Sequence, residues 1–313
     1  MIATVTLNPS LDEWVSLPSL RLGQLNRAGG FARYPGGKGI NVSRVLHELG
    51  GRTVAFALAG GEDGHILRTL MDRLAIPHEF VAVAGSTRNN YKIQTERPKA
   101  LTELNTPGQA VSSTALHRLA RRLLARIASL DAIVFSGSLP PGVPVSTYAT
   151  WIRRFRQQGV LTVLDASGPA FRQGLRARPW LVKPNRQEAE EALGRRIRSE
   201  SSAAQAVRAL LRLGPARVIL SLGADGAVMG AADPPGLWVA RPPAVRVVSG
   251  VGAGDSLVGG FLWSWMRRRS LIEALRWGIA SGAATAMTPG TELCHRAEVR
   301  RLAPRVIIRR LAD

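Results

Sequence analysis

Short apolar runs rich in β-branched residues alternate along the chain with longer segments whose apolar positions recur at helical spacing. The strand-like runs fall at residues 2–7, 53–59, 132–136, 160–165, 180–183 and 218–221. Helical periodicity falls at 39–49, 65–74, 144–158, 186–193, 255–266 and 271–286; in the first of these Val42, Val45, Leu46 and Leu49 share one stripe. Buried strands that alternate with helices predict an α/β fold, a doubly wound and mostly parallel sheet flanked by helices. Residues 11–35 and 88–105 break the rhythm. There Tyr91, Ile93 and Thr95 alternate with Lys92, Gln94 and Glu96, with no helix between. The two stretches predict a small antiparallel flap built from discontinuous segments, whose free face either closes over a ligand or pairs with another subunit. No repeat or long linker divides the chain, so residues 1–313 read as a single domain with a lid.

Composition narrows the class. At 313 residues and 45% hydrophobic the chain can bury a substantial core. No apolar run is long enough to cross a membrane, and the amino terminus opens directly as a strand without a leader pattern. One cysteine, Cys294, can form no internal disulfide, which points to a reducing, cytoplasmic setting. The 42 Lys and Arg residues against 22 Asp and Glu give +20, and only Lys38, Lys92, Lys99 and Lys183 among the cations are lysine. Such charge raises nucleic acid as a partner, but aromatics are 5% and no zinc-finger, RNP or basic-zipper pattern occurs. The arginines lie mainly in amphipathic helical segments, as a solvated surface or as a field that attracts anionic substrates.

The sharpest local feature is Val251-Gly-Ala-Gly-Asp-Ser256, between a strand-like run and a helix. Small residues at a helix start leave backbone N–H groups bare where the dipole favours an anion. Asp255, in the first turn, could take the proton of an attacking hydroxyl; it could equally cap an ordinary helix entry. A second glycine cluster, Pro35-Gly-Gly-Lys-Gly-Ile-Asn41, offers amides, Lys38 and Asn41 to a polyol or phosphate, or is a turn before a helix; it matches neither a Walker loop nor a dinucleotide fingerprint. In an arginine-biased chain the lysines at 38 and 183 suggest sites that want a compact charge. Asn185 and Glu188 stand three apart at a helix start. They could order the water shell of Mg2+, or form a capping box. Arg88 suits a phosphate, Asp12 a sugar hydroxyl, and the loop Ser136-Gly-Ser-Leu-Pro-Pro-Gly142 follows a buried strand where ligand loops gather. The five histidines show no metal spacing, and Ser136 and Ser138 lack nucleophile-elbow partners.

Taken in order, Thr6-Leu-Asn-Pro-Ser-Leu-Asp12, Gly36-Gly-Lys-Gly-Ile-Asn-Val42, Thr87-Arg-Asn89, Thr102-Glu-Leu-Asn105, Ser136-Gly-Ser-Leu-Pro140, Leu164-Asp-Ala-Ser-Gly168, Lys183-Pro-Asn185, Ser221-Leu-Gly223 and Val251-Gly-Ala-Gly-Asp255 resemble a PfkB-type (ribokinase-like) carbohydrate kinase. The resemblance spans nearly the whole chain and is closest to the 1-phosphofructokinase and tagatose-6-phosphate kinase branch. It implies a ribokinase-like sheet with a β-sheet lid, ATP and Mg2+ as cofactors, and a homodimer joined through the lid. It implies Asp255 as the base and Gly252, Ala253 and Gly254 as the anion hole. Asp12, Gly37, Lys38, Asn41, Arg88, Asn105, Ser138 and Arg27 would surround the phosphosugar. ATP would lie along Lys183, Asn185, Ser221, Gly223, Gly226, Ala280 and Ala283, with Asn185 and Glu188 reaching Mg2+ through water. Gly250 stands where the family commonly has threonine, and Gln24 and Glu103 where 6-phosphofructokinase relatives tend to carry Lys and Arg. The expected reaction is therefore ATP-dependent phosphorylation of fructose 1-phosphate to fructose 1,6-bisphosphate, with tagatose 6-phosphate and then fructose 6-phosphate as alternative acceptors. From other classes, a non-catalytic phosphosugar sensor or a basic nucleic-acid-associated protein remains open.

Overall fold

The computed structural model describes residues 1–311. In chain order the elements are β1 (Ile2–Thr6), β2 (Ser10–Leu17), β3 (Gly30–Gly36), α1 (Lys38–Glu48), β4 (Thr53–Ala59), α2 (Gly61–Arg73), β5 (His78–Ala82), β6 (Arg88–Glu96), β7 (Lys99–Asn105), α3 (Ser113–Ala125), β8 (Ala132–Ser136) and α4 (Thr147–Gln157). There follow β9 (Leu161–Asp165), α5 (Gly168–Arg176), β10 (Leu181–Val182), α6 (Arg186–Leu193), α7 (Glu200–Arg212), β11 (Arg217–Ser221), β12 (Ala227–Ala232), β13 (Pro235–Arg241), α8 (Ala253–Arg268), α9 (Leu271–Ala286), α10 (Arg296–Leu302) and β14 (Ile307–Arg310).

Ten strands form the main sheet in the order β14-β13-β12-β11-β10-β9-β8-β1-β4-β5. From β5 to β11 all neighbours are parallel, as the alternating pattern predicts; β12, β13 and β14 add an antiparallel edge. Strand alternation sends the side chains of β1, β8 and β9 to two separate cores, while Ala55 and Ala57 of β4 join a third with Leu11, Ile40 and Leu67. Ala3, Val5, Phe135 and Leu164 face the layer packed under α4 and α5, whereas Ile2, Val134 and Val163 face the layer of α1, α8 and α9. Helices α8 and α9 approach closely because glycines line their contact. A Cβ at Gly260 would lie 2.7 Å from the Trp277 carbonyl, and one at Gly278 would lie 2.8 Å from that of Leu257. This packing fixes where the amino end of α8 emerges.

The chain leaves β1 toward β4 and β5, then returns to β8 on the other side of β1. That reversal opens a crevice beyond the carboxyl ends of β1 and β8, the place where ligands bind in open α/β sheets. Across it the side chain of Asn8, which follows β1, donates to the Ser138 hydroxyl at 3.0 Å.

The second sheet has the order β3-β2-β6-β7 and is built from the two stretches that break the sequence rhythm. Its register pairs Asp12 with Asn90, Asn90 with Asn105 and Lys92 with Glu103 on one face. Val15, Phe31, Tyr91 and Leu104 fall on the other, where Phe31, Tyr91 and Leu104 are exposed. The polar face looks into the crevice and the apolar face looks out.

The arginine-bearing amphipathic segments around Arg118–Arg126 and Arg300–Arg301 are α3 and α10; β5, α5, α7 and the β12–β14 edge have no counterpart in the sequence pattern, and α2 starts four residues before the predicted segment. Alanine and glycine in β12 and β13 dilute the apolar period on which such readings depend, and α5 spans only Gly168–Arg176, too short a run to show it. No described helix is long and apolar enough to cross a membrane.

Candidate active site

A continuous cleft of about 1360 Å3 runs from the inner face of the small sheet to the loops after β11 and β13. At its centre α8 begins. Gly252 takes a left-handed conformation (φ 78°), which glycine adopts without strain, and no side chain caps the helix. The Ala253 amide makes a long contact to the Gly250 carbonyl at 3.4 Å, while the amides of Gly254 and Asp255 have no acceptor within the helix and stand open beside the cleft. Lys183 approaches the same place: a Cβ at Gly254 would lie 3.2 Å from its Nζ. Ammonium and bare amides converge on one volume, suited to the oxygens of a phosphoryl group.

Asp255, in that first turn, is buried and accepts a hydrogen bond from Asn41 Nδ2 at 2.8 Å. Asn41 is oriented from behind by Arg44, whose guanidinium donates at 3.1 Å to the Asn41 amide oxygen. That leaves the NH2 end for Asp255. Burial pulls the Arg44 guanidinium down to about 10, so it remains charged at neutral pH.

Asp165 closes β9 and is fully buried. Lys38 Nζ stands 3.0 Å from its Oδ1 and Lys183 Nζ 3.4 Å from its Oδ2. Lys38 also reaches Glu188 Oε1 at 3.4 Å. Burial opposes ionisation of Asp165, but Lys183 and then Lys38 outweigh it and hold this carboxyl below the ordinary range. Burial likewise disfavours the charged Lys38, and Asp165, Glu188 and Asp255 together reverse that, keeping the ammonium charged. Asp255 goes the other way. Desolvation first, and the Asp165 anion second, push it up to about 6 against the weaker pull of Lys38, Asn41 and Lys183. Two neighbouring buried carboxyls, Asp165 beneath the cleft and Asp255 lining it, are thus driven apart, one a fixed anion and one poised to bind and release a proton near neutrality.

Asn185 and Glu188 form a reciprocal capping box: Asn185 Oδ1 accepts from the Glu188 amide at 2.8 Å, and Glu188 Oε2 from the Asn185 amide at 2.9 Å. The capping geometry raised by their spacing is the one present. Glu188 Oε1 still faces Lys38 and the cleft. Among the described residues no group of three or more His, Cys, Asp or Glu is placed to hold a metal ion.

The inner face of the small sheet supplies the other wall. Asp12 accepts from Ser10 and Asn90 at 2.9 and 3.3 Å. Arg88 donates to the Asn8 carbonyl, to Asn90 and to the Thr106 carbonyl, which fixes its guanidinium at the base of β6. Gly37, Lys38, Asn41, Asn105 and Ser138 line the same cleft. At the far end it is lined by Lys183, Asn185, Ser221, Gly223, Gly226 and Ala283, with Pro242, Pro243, Val245 and Ile279 forming an apolar slot.

Two expected residues do not line it. Arg27 lies exposed in the loop between β2 and β3, and Ala280 is fully buried in the core of α9 beneath α8. Sequence reasoning assigned no role to Asn8, Arg44, Lys92 or Asp165. An acid ending an otherwise apolar buried strand was the available signal for Asp165, and the three-residue spacing from Asn41 the signal for Arg44.

The family model described as pfkB family carbohydrate kinase matches residues 6–298. The chain is 36% identical over 305 residues to 1-phosphofructokinase of Escherichia coli (strain K12), covering 97% of each. It is 34% identical over 301 residues to ATP-dependent 6-phosphofructokinase isozyme 2 of Mycobacterium tuberculosis (strain CDC 1551 / Oshkosh), covering 96% of this chain and 88% of that protein. The crystal structure of phosphofructokinase-2 from Escherichia coli in complex with substrates and products superposes with a TM-score of 0.90 at 31% identity, covering 97% and 98% of the two chains.

The raised carboxyl of Asp255 has a stability signature. Its folded value of about 6 exceeds the ordinary 3.8, so ionising it costs the fold more than the unfolded chain. Stability tied to this group is full below about pH 4 and is lost as pH rises through about 6. Asp255→Asn, which mimics the neutral acid, should raise the denaturation midpoint at pH 7.5 by a margin that vanishes below about pH 4. Denaturant titrations of both proteins across that range check this; a variant that is less stable at pH 7.5 would contradict the burial account.

Proposed function

The chain belongs to the pfkB family of carbohydrate kinases, and from that membership we propose that it transfers the terminal phosphoryl group of ATP to the free primary hydroxyl of fructose 1-phosphate, giving fructose 1,6-bisphosphate. The observation that carries this reading is a buried carboxyl, Asp255, raised to about 6 beside the bare amides of α8, in one cleft with Lys38, Lys183 and Arg88. In this reading Asp255 accepts the proton of the attacking hydroxyl, and its poise near neutrality suits a general base. The α8 amides and Lys183 stabilise charge on the transferred group, while Lys38, tied to Asp165, keeps a fixed cation at the floor. Arg88, with Asn8, Asn90 and Asn105 around it, holds the phosphate that the acceptor already carries. Asp12 and Ser138 take sugar hydroxyls, and Ser221, Gly223, Gly226 and Ala283 flank the nucleotide at the apolar slot.

Glu188 Oε1, with Asn185 lining the cleft beside it, fits Mg2+ as an outer shell. One carboxylate oxygen faces the cleft and no dedicated cage surrounds it, as suits an ion carried mainly by phosphates and water. When bound, the ion would neutralise phosphate charge as it develops. The small sheet acts as a lid that excludes water, so that the nucleotide is not hydrolysed.

The identity to a 1-phosphofructokinase supports fructose 1-phosphate as acceptor; the nearly equal identity to a 6-phosphofructokinase keeps fructose 6-phosphate as the second reading. ATP consumption measured with fructose 1-phosphate, tagatose 6-phosphate, fructose 6-phosphate, unphosphorylated sugars and nucleosides decides between them. Fructose 1-phosphate should give the highest kcat/KM, and Asp255→Asn should lower its kcat by about 100-fold or more while ATP still binds. Near-normal turnover by that variant would remove the proposed mechanism.

In the same reading a second copy of the chain covers the apolar outer face of the lid, where Phe31, Tyr91 and Leu104 stand exposed. Sedimentation should find a dimer that Phe31→Arg disrupts; a wild-type monomer at micromolar concentration would rule this assembly out.

A further inference from the structure

Lys92 and Glu103 form a directly opposed pair on β6 and β7, on the lid face that looks into the cleft. The Lys92 side chain is only 5% exposed, set against Trp14 across β2, and its Nζ donates to Glu103 Oε2 at 2.9 Å. Glu103 is 41% exposed, and its Oε1 has no hydrogen-bond partner among the described residues. A buried ammonium whose charge is spent on a carboxylate is a poor phosphate anchor. A carboxylate held in place with one oxygen open to the cleft is a good acceptor for a hydroxyl and repels an anion. Along the inner face of the lid the order is therefore a cation at Arg88, amides at Asn90 and Asn105, and a pinned carboxylate at Glu103.

We infer that Glu103 is a specificity-determining residue, positioned by Lys92, that reads the hydroxyl on the sugar carbon next to the acceptor's phosphate. This rests on the proposed reaction, in which that phosphate lies against the lid at Arg88 and the free primary hydroxyl at Asp255. The two ends of a ketofuranose differ chemically. In fructose 1-phosphate the ring carbon beside the phosphate is C2, which bears the anomeric hydroxyl. In fructose 6-phosphate or tagatose 6-phosphate it is C5, which bears hydrogen. Glu103 accepts a hydrogen bond from the first and is left without that donor by the others. A site built to bind a hydroxyl discriminates strongly against a substrate that lacks it.

The test uses an acceptor that differs only at this group, 2,5-anhydro-D-mannitol 1-phosphate, in which hydrogen replaces the C2 hydroxyl of fructofuranose 1-phosphate. Wild-type protein should prefer fructose 1-phosphate by roughly 10–100-fold in kcat/KM, the usual range for a hydrogen bond to a charged group. Glu103→Ala should bring that preference close to unity while leaving the KM for ATP unchanged. Lys92→Met, which keeps an apolar side chain in the buried position, should erode the preference in the same direction, so the inference stays testable if the first variant folds poorly. A preference that survives both substitutions, or a wild type indifferent to the C2 hydroxyl, overturns the role of Glu103 and leaves the kinase reading standing. A wild type that phosphorylates no ketose phosphate overturns both.

Discussion

One buried anion organises the cleft. Asp165 ends β9 with no solvent contact and survives there as a charge only because Lys38 and Lys183 reach it from two other parts of the chain. An isolated carboxylate so deep would be expelled or protonated. In return it immobilises both ammonium groups, one beside Glu188 and one leaning over the start of α8. It also raises the neighbouring Asp255 by like-charge repulsion, adding to desolvation. Fixed cations and a proton-accepting carboxyl are thus consequences of one electrostatic arrangement, preorganised before any ligand enters.

The scaffold serves this arrangement at three scales. The reversal of strand order places Asn8 and Ser138 at the mouth of the crevice. Close glycine contacts between α8 and α9 set the depth at which the helix start emerges, and the left-handed Gly252 leaves its amides bare. Arg44 then orients Asn41, and Asn41 orients Asp255, so this carboxyl is held by a chain of donors that reaches into the body of the protein. The lid contributes a wall whose inner face is polar and whose outer face is apolar, a direct result of the two-residue period of its strands.

Much of this was legible in the sequence because the signals are local. The strand–helix alternation carried the parallel sheet, and the break in it carried the small second sheet. The glycine turn with Asp255 is six contiguous residues, and Lys38, Asn41, Lys183 and Arg88 sit in short motifs that all reach the cleft. What was not legible depends on long-range pairing. Asp165 meets Lys38 across 127 positions of chain, and nothing in the run that ends at Asp165 names its partners. Lys92 is one polar position in an alternating segment, and nothing local in that segment shows that Glu103 stands opposite it. Arg27 stands exposed on a loop away from this chain's own cleft, and a loop residue carries no period to fix its direction. Ala280 was misplaced because one turn along α9 separates a core position from the cleft-lining Ala283. Asn185 and Glu188 obey the local capping rule, and any role toward a metal is added to that rule rather than read from it.

The central claim, that Asp165 and its two lysines set the proton affinity of Asp255, is tested most directly by comparing the acid limb of kcat/KM for fructose 1-phosphate in wild type and Asp165→Asn. The acceptor's own phosphate also titrates near pH 6, but identically in both measurements, so the difference isolates the protein. Loss of the anion removes a charge that raises Asp255 and frees two that lower it. The limb, near pH 6 in wild type, should therefore move to lower pH in the variant. A limb that stays in place, or moves upward, would contradict the account.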